Sequence, residues 1–278
     1  MLDIFMQDWI WFVIIMLIAA IVAGFMAGLF GIGGGAVMVP VFSEVYVWVG
    51  TEPSLAQFVA VGTSLAIIIP TSIRSAQTHF SAGNLDHKVL RSYFWFIPLG
   101  VVLGLVFANL DWVKASDFLT SIFGIMALLI SAYMLFEAKE FSLRSTGPRV
   151  YLSRVGGVVI GFTSLLMGIG GGVVNNIFMM LQGSSIKVAI GTSAAVGILI
   201  SVPGALGFLV IGWGIEGLPP FTYGFLNVFT MLVVIPITVL MAPLGAKVTQ
   251  MLPDALTSRL FGFFLLAAGM RMLWKVLV

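Results

Sequence analysis

The longest stretch of this chain without a charged side chain runs from Trp9 to Ser43. Because an α-helix rises about 1.5 Å per residue, one straight helix of that length would exceed the ~30 Å hydrocarbon core of a bilayer. The stretch is interrupted by Gly31-Ile32-Gly33-Gly34-Gly35, and a second uncharged stretch, Val155–Ile186, is interrupted by Gly168-Ile169-Gly170-Gly171-Gly172. We therefore predict membrane-crossing helices that are broken at both glycine clusters.

The composition supports a membrane protein and excludes several other classes. Hydrophobic residues make up 60% of the 278 residues and charged residues 9%, against about 25% charged residues in soluble domains. Cysteine is absent, and only His79 and His87 are available for a metal site. The net charge of +2 is too small to indicate a nucleic-acid partner. We therefore expect no enzymatic activity, no cofactor, no bound metal and no nucleic acid.

Charged residues and turn signals divide the chain into eight candidate membrane spans. The N-terminus carries Asp3 and Asp8 where a signal peptide would be basic, so we expect the first span to be permanent. The predicted fold class is an all-α polytopic membrane protein with eight transmembrane helices. The spans are Trp9–Ile32, Ser54–Thr78, Val89–Leu110, Ser116–Phe136, Val155–Ile169, Ser185–Ile211, Phe221–Ala246 and Ala255–Leu277.

Short motifs recur in the same order in the two parts of the chain. Gly24-Phe25 stands as far before the first glycine cluster as Gly161-Phe162 stands before the second. Further on, Val59–Ser64 matches Val188–Ser193, and both segments end in Gly-Thr-Ser. These matches predict two homologous four-helix repeats, 1–138 and 153–278, with a basic linker at 139–152. Such repeats are typical of secondary transporters, whose substrate sites lie between them.

The distribution of basic residues bears on how the repeats are related and on the orientation of the protein in the membrane. Most lysines and arginines of the loops fall on one side if the repeats are parallel, and this places both termini in the cytoplasm. Inverted repeats are the alternative arrangement, in which each glycine segment dips into the membrane and returns.

The glycine clusters are the first candidate substrate site. Each glycine disfavours helix by about 1 kcal/mol relative to alanine, so three in succession should unwind it. Unwound backbone at membrane depth is tolerated inside the protein or beside water, and its N–H groups suit an anion. The alternative is close helix packing by small residues. The candidate residues are Gly33, Gly34, Gly35, Gly170, Gly171 and Gly172.

The duplicated hydroxyl pairs Thr63-Ser64 and Thr192-Ser193 are the second candidates. They can face a substrate or bond within and between helices.

Arg74 lies beside a polar stripe on the second span, and its planar guanidinium suits sulfonate, sulfite, carboxylate or phosphate oxygens. The alternative is an arginine near a helix end that reaches the lipid headgroups. The stripe contains Gln57, Ser64, Thr71, Ser75 and Thr78.

Four other polar residues complete the candidate set. Asn175 and Asn176 follow the second glycine cluster, and their amides can donate to a substrate or bridge helices. Glu44 can carry a coupling proton or lie in a solvated interfacial loop. His79 can relay a proton or be a structural group with a hydrogen bond.

Segment Gly28–Pro40, repeated in part as Leu166–Gly172, resembles the sulfite exporter TauE/SafE family, also described as toluene-sulfonate uptake permeases. The Gly-Thr-Ser segments and Arg259–Gly262 fit the same family. The resemblance implies an inner-membrane secondary transporter of about eight spans in two repeats, which moves sulfite, sulfonates or related small organic anions. Asn175-Asn176 departs from the apolar residues and proline that the family usually has there. A specialised second half is therefore expected.

We accordingly expect a multi-pass secondary transporter that exports a small sulfur-containing anion such as sulfite or an organosulfonate across the lipid bilayer. The alternatives are a proton- or cation-conducting channel or transporter, and an uptake carrier for small carboxylates. A cation pathway would need acidic residues within spans, whereas the eleven carboxylates fall near predicted loops or span ends. The sequence is compatible with proton or ion coupling and with a homo-oligomeric state.

Overall fold

A computed structural model describes residues 2–114, 117–136 and 150–277. In this part of the chain the backbone forms twelve helices and one short antiparallel hairpin, in which Thr222 pairs with Asn227. The helices are α1 (Leu2–Phe30), α2 (Gly35–Trp48), α3 (Pro53–Ser81), α4 (His87–Tyr93), α5 (Phe96–Ala108), α6 (Asp111–Lys114), α7 (Phe118–Phe136), α8 (Val150–Met167), α9 (Gly172–Leu181), α10 (Ile186–Ile211), α11 (Val228–Met251) and α12 (Asp254–Leu277), with strands β1 (Thr222–Tyr223) and β2 (Leu226–Asn227) before α11.

Six helices in the described ranges are long and apolar enough to cross a membrane, and the bent pair α4–α5 makes a seventh if it is counted as one span. The fold is therefore that of a mostly helical, polytopic membrane protein. The predicted fifth span, Val155–Ile169, corresponds to α8. The apolar part of α8, Arg154–Met167, is shorter than the six long helices because the glycine cluster ends it. The count of eight stays a prediction.

The predicted division into repeats at 1–138 and 153–278 also stays a prediction. The predicted linker 139–152 lies outside the described residues as far as position 149, and α8 begins at Val150. The start of the predicted fourth span, Ser116, also lies outside them.

The predicted breaks at both glycine clusters are confirmed. Helix α1 ends at Phe30 and α2 begins at Gly35, while α8 ends at Met167 and α9 begins at Gly172. The residues before the new helices, Gly34 and Gly171, have φ angles of 85° and 76°. This left-handed conformation is open to glycine but costly for residues with a Cβ, so the clusters both end one helix and start the next.

Helix packing follows a reciprocal pattern. Helix α1 packs along α11 and α8 packs along α5, while α3 packs on α10 and α7 packs on α12. Helix α3 is the centre of the molecule, since 83% of its candidate span is buried, whereas α11 and α12 are 28% buried. Large apolar side chains such as Leu232, Leu240 and Phe263 are exposed on those outer helices, as expected of a surface that contacts lipid.

Candidate functional site

The two glycine breaks meet in the interior of the protein. The N–H of Gly170 donates to the carbonyl oxygen of Ile32 at 3.3 Å. Gly35 lies against the carbonyl of Gly168, and Gly172 lies against that of Gly31, with no room for a Cβ at either contact. We call residues 31–35 and 168–172 together the glycine crossing. It brings all six predicted glycines into one site.

Helices α3 and α10 each pack against the break of the other part of the chain. Gly168 lies close to Val61 of α3, and Gly31 lies against the carbonyl of Ile190 of α10. The Oγ of Ser64 donates to the carbonyl oxygen of Gly168 at 2.8 Å. The two Gly-Thr-Ser segments therefore form walls of the glycine crossing.

The threonines of these segments hold the starts of neighbouring helices. The Oγ1 of Thr63 accepts the N–H of Asn227 at 2.9 Å, and the Oγ1 of Thr192 accepts the N–H of Asp86 at 2.9 Å. Asn227 and Asp86 are the N-cap residues of α11 and α4. The glycines before the threonines, Gly62 and Gly191, let the connecting backbone approach. Thr63 and Thr192 thus have structural partners in this conformation.

The asparagines tie three helices together next to the crossing. Asn176 donates through Nδ2 to the carbonyl oxygen of Phe30 at 2.9 Å, and its Oδ1 accepts the hydroxyl of Ser193 at 2.7 Å. Asn175 donates through Nδ2 to Ser193 Oγ at 2.7 Å, and its Oδ1 is buried without a partner. This network has no counterpart in the first part of the chain, where the aligned residues are Met38 and Val39. It attaches α9 and α10 to the end of α1.

Two buried serines that sequence reasoning did not select lie on the central helices. Ser72 on α3 and Ser201 on α10 are at most 1% exposed, and neither Oγ has a hydrogen-bond partner. Ser72 Oγ lies 3.1 Å from the position that a Cβ on Gly33 would take, and 2.6 Å from that of a Cβ on Gly197. The two serines stand at equal spacing after Thr63 and Thr192, and this shared spacing is the signal that could have identified them.

His79 lies on the same face of α3 as Ser72 and Ser75, since their intervals are three and four residues. Its side chain is fully buried, and Nε2 lies 2.9 Å from the carbonyl oxygen of Gly28. A carbonyl only accepts, so Nε2 carries the proton in this bond. The other ring nitrogen, Nδ1, is buried without a partner. Ser75 donates to the neighbouring carbonyl of Ala27 at 3.4 Å.

Two charged candidates lie away from the glycine crossing. Arg74 is exposed and donates to Gln77 of its own helix at 3.3 Å. Glu44, near the other end of α2, pairs with Arg271 at 3.1 Å and Lys275 at 3.8 Å. The structure does not bring either residue to the crossing.

The polar stripe of α3 faces protein partners over most of its length. Thr71 donates either to Ile67 O or to Thr238 Oγ1 of α11, at 2.9 and 2.8 Å. Gln57 is buried and its amide has no partner, whereas Thr78 bonds the carbonyl of Arg74 near the helix end. The stripe is thus mainly a contact surface between helices.

A cavity of about 410 Å³ lies at the C-terminal end of α2. Tyr46 donates its hydroxyl to Thr230, and Asn227 donates to Pro220 O and Thr222 Oγ1, so these polar groups are already used. An oxyanion would find few donors there. The cavity is lined by the aromatic residues Phe12, Tyr46, Trp48, Phe221 and Phe229.

No group of three or more histidine, aspartate or glutamate side chains that could hold a metal ion occurs in the ranges that the structure describes. The glycine crossing offers backbone groups, and the helices beside it add serine hydroxyls. The site can therefore form hydrogen bonds but supplies no formal charge of its own.

Comparison with known proteins agrees with this architecture. The family model for sulfite exporter TauE/SafE matches residues 16–272. A Haemophilus influenzae protein named "probable membrane transporter protein" is 33% identical over 265 residues, which cover 95% of this chain and 99% of that protein. A Methanocaldococcus jannaschii protein with a similar name is 28% identical over 242 residues, 85% of this chain and 86% of the relative. No solved structure matches the chain.

The family match spans nearly the whole chain and includes both glycine clusters, both Gly-Thr-Ser segments and most of each long apolar helix that the structure describes. The relatives named as transporters are covered over most of their length. The chain therefore belongs to the sulfite exporter TauE/SafE family and is a multi-pass membrane transporter.

Proposed function

We propose that this transporter exports a small sulfur-containing oxyanion, such as sulfite or an organosulfonate, and binds it at the glycine crossing. The observation that carries the proposal is the pair of buried, unpartnered hydroxyls of Ser72 and Ser201 on the helices that flank the two breaks. Buried polar groups normally have partners, so such groups beside unwound backbone favour a site for a polar ligand.

The chemistry of the crossing suits an oxyanion. A serine hydroxyl and backbone N–H groups donate hydrogen bonds, and a bond to an ionised acceptor is about twice as strong as one between neutral groups. Ser72 Oγ lies 3.1 Å from the position that a Cβ on Gly33 would take, so this hydroxyl stands next to the unwound backbone. In the described residues the crossing contains no carboxylate, which a cation pathway would need. These features favour an anion over the cation-channel alternative.

In this conformation the crossing is closed, because the N–H of Gly170 is bonded to Ile32 O. An anion that binds there would compete for that N–H group and separate the two breaks. Gly34 and Gly171, with their left-handed backbone, are suited to act as hinges for such a movement. Alternating access by movement of one broken helix against the other is the mode expected of transporters with internal repeats.

The proposal includes eight spans in two repeats, an inner-membrane location and cytoplasmic termini. The reciprocal packing of α1 on α11 and of α8 on α5 supports the repeats. Glycines at matched positions of the two breaks, and unpartnered serines at matched positions of α3 and α10, support a shared substrate site. Arg74 is not part of this site, because its guanidinium is exposed.

Flux measurements test the proposed substrate. Purified protein in liposomes should release loaded sulfite and methanesulfonate faster than acetate, and Ser72→Ala should slow the release of both sulfur oxyanions. Ser81→Ala is the matched control, because Ser81 is an exposed serine of the same helix that bonds only Gln77 O. Equal flux of acetate and the sulfur oxyanions would contradict the proposed selectivity. Wild-type rates in folded Ser72→Ala would contradict the proposed site.

A further inference from the structure

We infer that His79 binds a proton together with the transported anion, so that the protein is a proton–anion cotransporter. This inference rests on the proposed function, because it needs an anion at the glycine crossing. It adds the coupling ion and the residue that carries it. The argument depends on the two ring nitrogens of His79, on its distance from the crossing and on the charges around it.

The hydrogen bond to Gly28 leaves one nitrogen of His79 available for a proton. Nε2 is the donor to Gly28 O at 2.9 Å, so in the neutral ring Nδ1 has a free lone pair. Nδ1 is buried and has no partner. A proton can therefore bind at Nδ1 without breaking the bond to α1.

His79 is connected to the glycine crossing by one polar face of α3. Ser72 lies beside Gly33, Ser75 bonds the carbonyl of Ala27 one turn further along, and His79 bonds that of Gly28. His79 stands seven positions after Ser72 on the helix, a rise of about 10 Å. An anion at Ser72 is thus close enough to interact with a proton on His79, since both groups are shielded from solvent.

The charged groups of the packed elements are engaged elsewhere or exposed. Helix α1 has no charged residue over 11–30. On α10, Lys187 donates to the carbonyl of Gln250 at 3.3 Å, and on α11 Lys247 is exposed. After α3, Asp86 accepts backbone N–H groups at the start of α4. None of these side chains is bonded to His79.

The charged or titratable residues of α2, of α3 itself and at the start of α4 are also paired with other groups or exposed. Glu44 of α2 is paired with Arg271, and Arg74 of α3 itself is bonded to Gln77. His87 of α4 is exposed and contacts the ring of Phe80. In the part of the chain that the structure describes, a protonated His79 therefore has no counter-charge within hydrogen-bond distance.

Proton binding and anion binding must then favour each other. A buried cation without a counter-charge is costly, and an anion in the same low-dielectric interior lowers that cost. By thermodynamic linkage, a proton on His79 increases anion affinity by the same factor. A monoanion that moves with one proton carries no net charge through the protein, so its own concentration gradient and the pH gradient together set the direction of transport.

Substitution by glutamine separates the proton site from the structural bond. The amide nitrogen of His79→Gln can still donate to Gly28 O, but the side chain does not bind a proton. The matched control is His87→Gln, which removes the exposed second histidine. We choose methanesulfonate for the assay because it stays ionised through the pH range in which histidine titrates.

Liposomes that contain a trapped pH indicator should show proton movement with methanesulfonate flux for the wild type and for His87→Gln. Folded His79→Gln should bind methanesulfonate with little dependence on pH and should move it without protons. Proton movement that persists in His79→Gln would overturn the assignment. Absence of binding of both sulfite and methanesulfonate to the wild type would overturn the proposed function instead.

A direct measurement keeps the inference testable even if His79→Gln does not fold. The His87→Gln protein has one histidine, so nitrogen NMR of ¹⁵N-histidine-labelled protein reports His79 alone. Saturating methanesulfonate should raise its titration midpoint by about one pH unit, which corresponds to tenfold coupling of the two affinities. An unchanged midpoint in protein that binds methanesulfonate would overturn the inference while leaving the proposed function in place.

Discussion

The hydroxyl of Thr63 accepts the backbone N–H of Asn227, the N-cap residue of α11, at 2.9 Å and across 164 residues of sequence. Thr192 accepts the N–H of Asp86 at the start of α4 in the same way. The threonine of each Gly-Thr-Ser segment therefore anchors a helix start, whereas the serine that follows contacts the glycine crossing or the asparagines next to it.

Thr63→Val should lower stability and leave substrate affinity nearly unchanged. The substitution leaves the buried N–H of Asn227 without an acceptor, which costs about 1–3 kcal/mol. Thermal unfolding in detergent measures the loss, with Thr78→Val as the control because Thr78 bonds only its own helix. A large loss of anion affinity in folded Thr63→Val would show that this hydroxyl binds substrate.

Gly34→Ala should destabilise the protein more than Gly50→Ala. Both glycines have positive φ, at 85° and 93°, and an alanine in that region costs about 1–2 kcal/mol. At Gly34 the new Cβ would also lie 2.8 Å from the carbonyl oxygen of Ala23, whereas at Gly50 it meets nothing within 4 Å. Equal losses of thermal stability would mean that the break is not tightly packed.

Asn176→Val introduces the residue that the first part of the chain has at the aligned position, Val39. It should still destabilise the protein by about 1–3 kcal/mol, because Phe30 O and the hydroxyl of Ser193 lose their partner. Asn176→Asp is the informative companion, since it keeps an acceptor for Ser193 but removes the donor to Phe30 O. Full stability of Asn176→Val would show that the network is dispensable.

Arg74→Ala should leave the Kd for methanesulfonate within about twofold of the wild type. The guanidinium is exposed, and its bond to Gln77 is a surface interaction of small energy. Isothermal titration calorimetry checks this. A tenfold or greater loss of affinity would place Arg74 on the substrate path and restore the role that the sequence suggested.

The sequence was sufficient for local features and insufficient for those that depend on distant contacts. Glycine propensity predicts the broken helices, whereas the contact between the two clusters is shown only by the structure. Helical periodicity places Arg74 near the polar stripe but does not show which way its side chain points. In the structure Arg74 is exposed, although the adjacent Ser75 is buried. The role of Thr63 depends on a partner 164 residues away, which no local pattern shows.

The site serines illustrate the same limit. Ser72 and Ser201 lie within long helices, where a serine hydroxyl commonly bonds its own backbone. Only the tertiary structure shows that both are buried without a partner and that Ser72 faces Gly33.

The central claim is that a sulfur oxyanion binds at the glycine crossing between Ser72 and Ser201. The most direct measurement is the Kd for methanesulfonate of the folded, monodisperse double variant Ser72→Ala/Ser201→Ala, by isothermal titration calorimetry beside the wild type and Ser81→Ala. Loss of two donors to an ionised ligand should weaken binding by at least about tenfold, while Ser81→Ala binds like the wild type. Wild-type affinity in the double variant would show that the anion binds elsewhere.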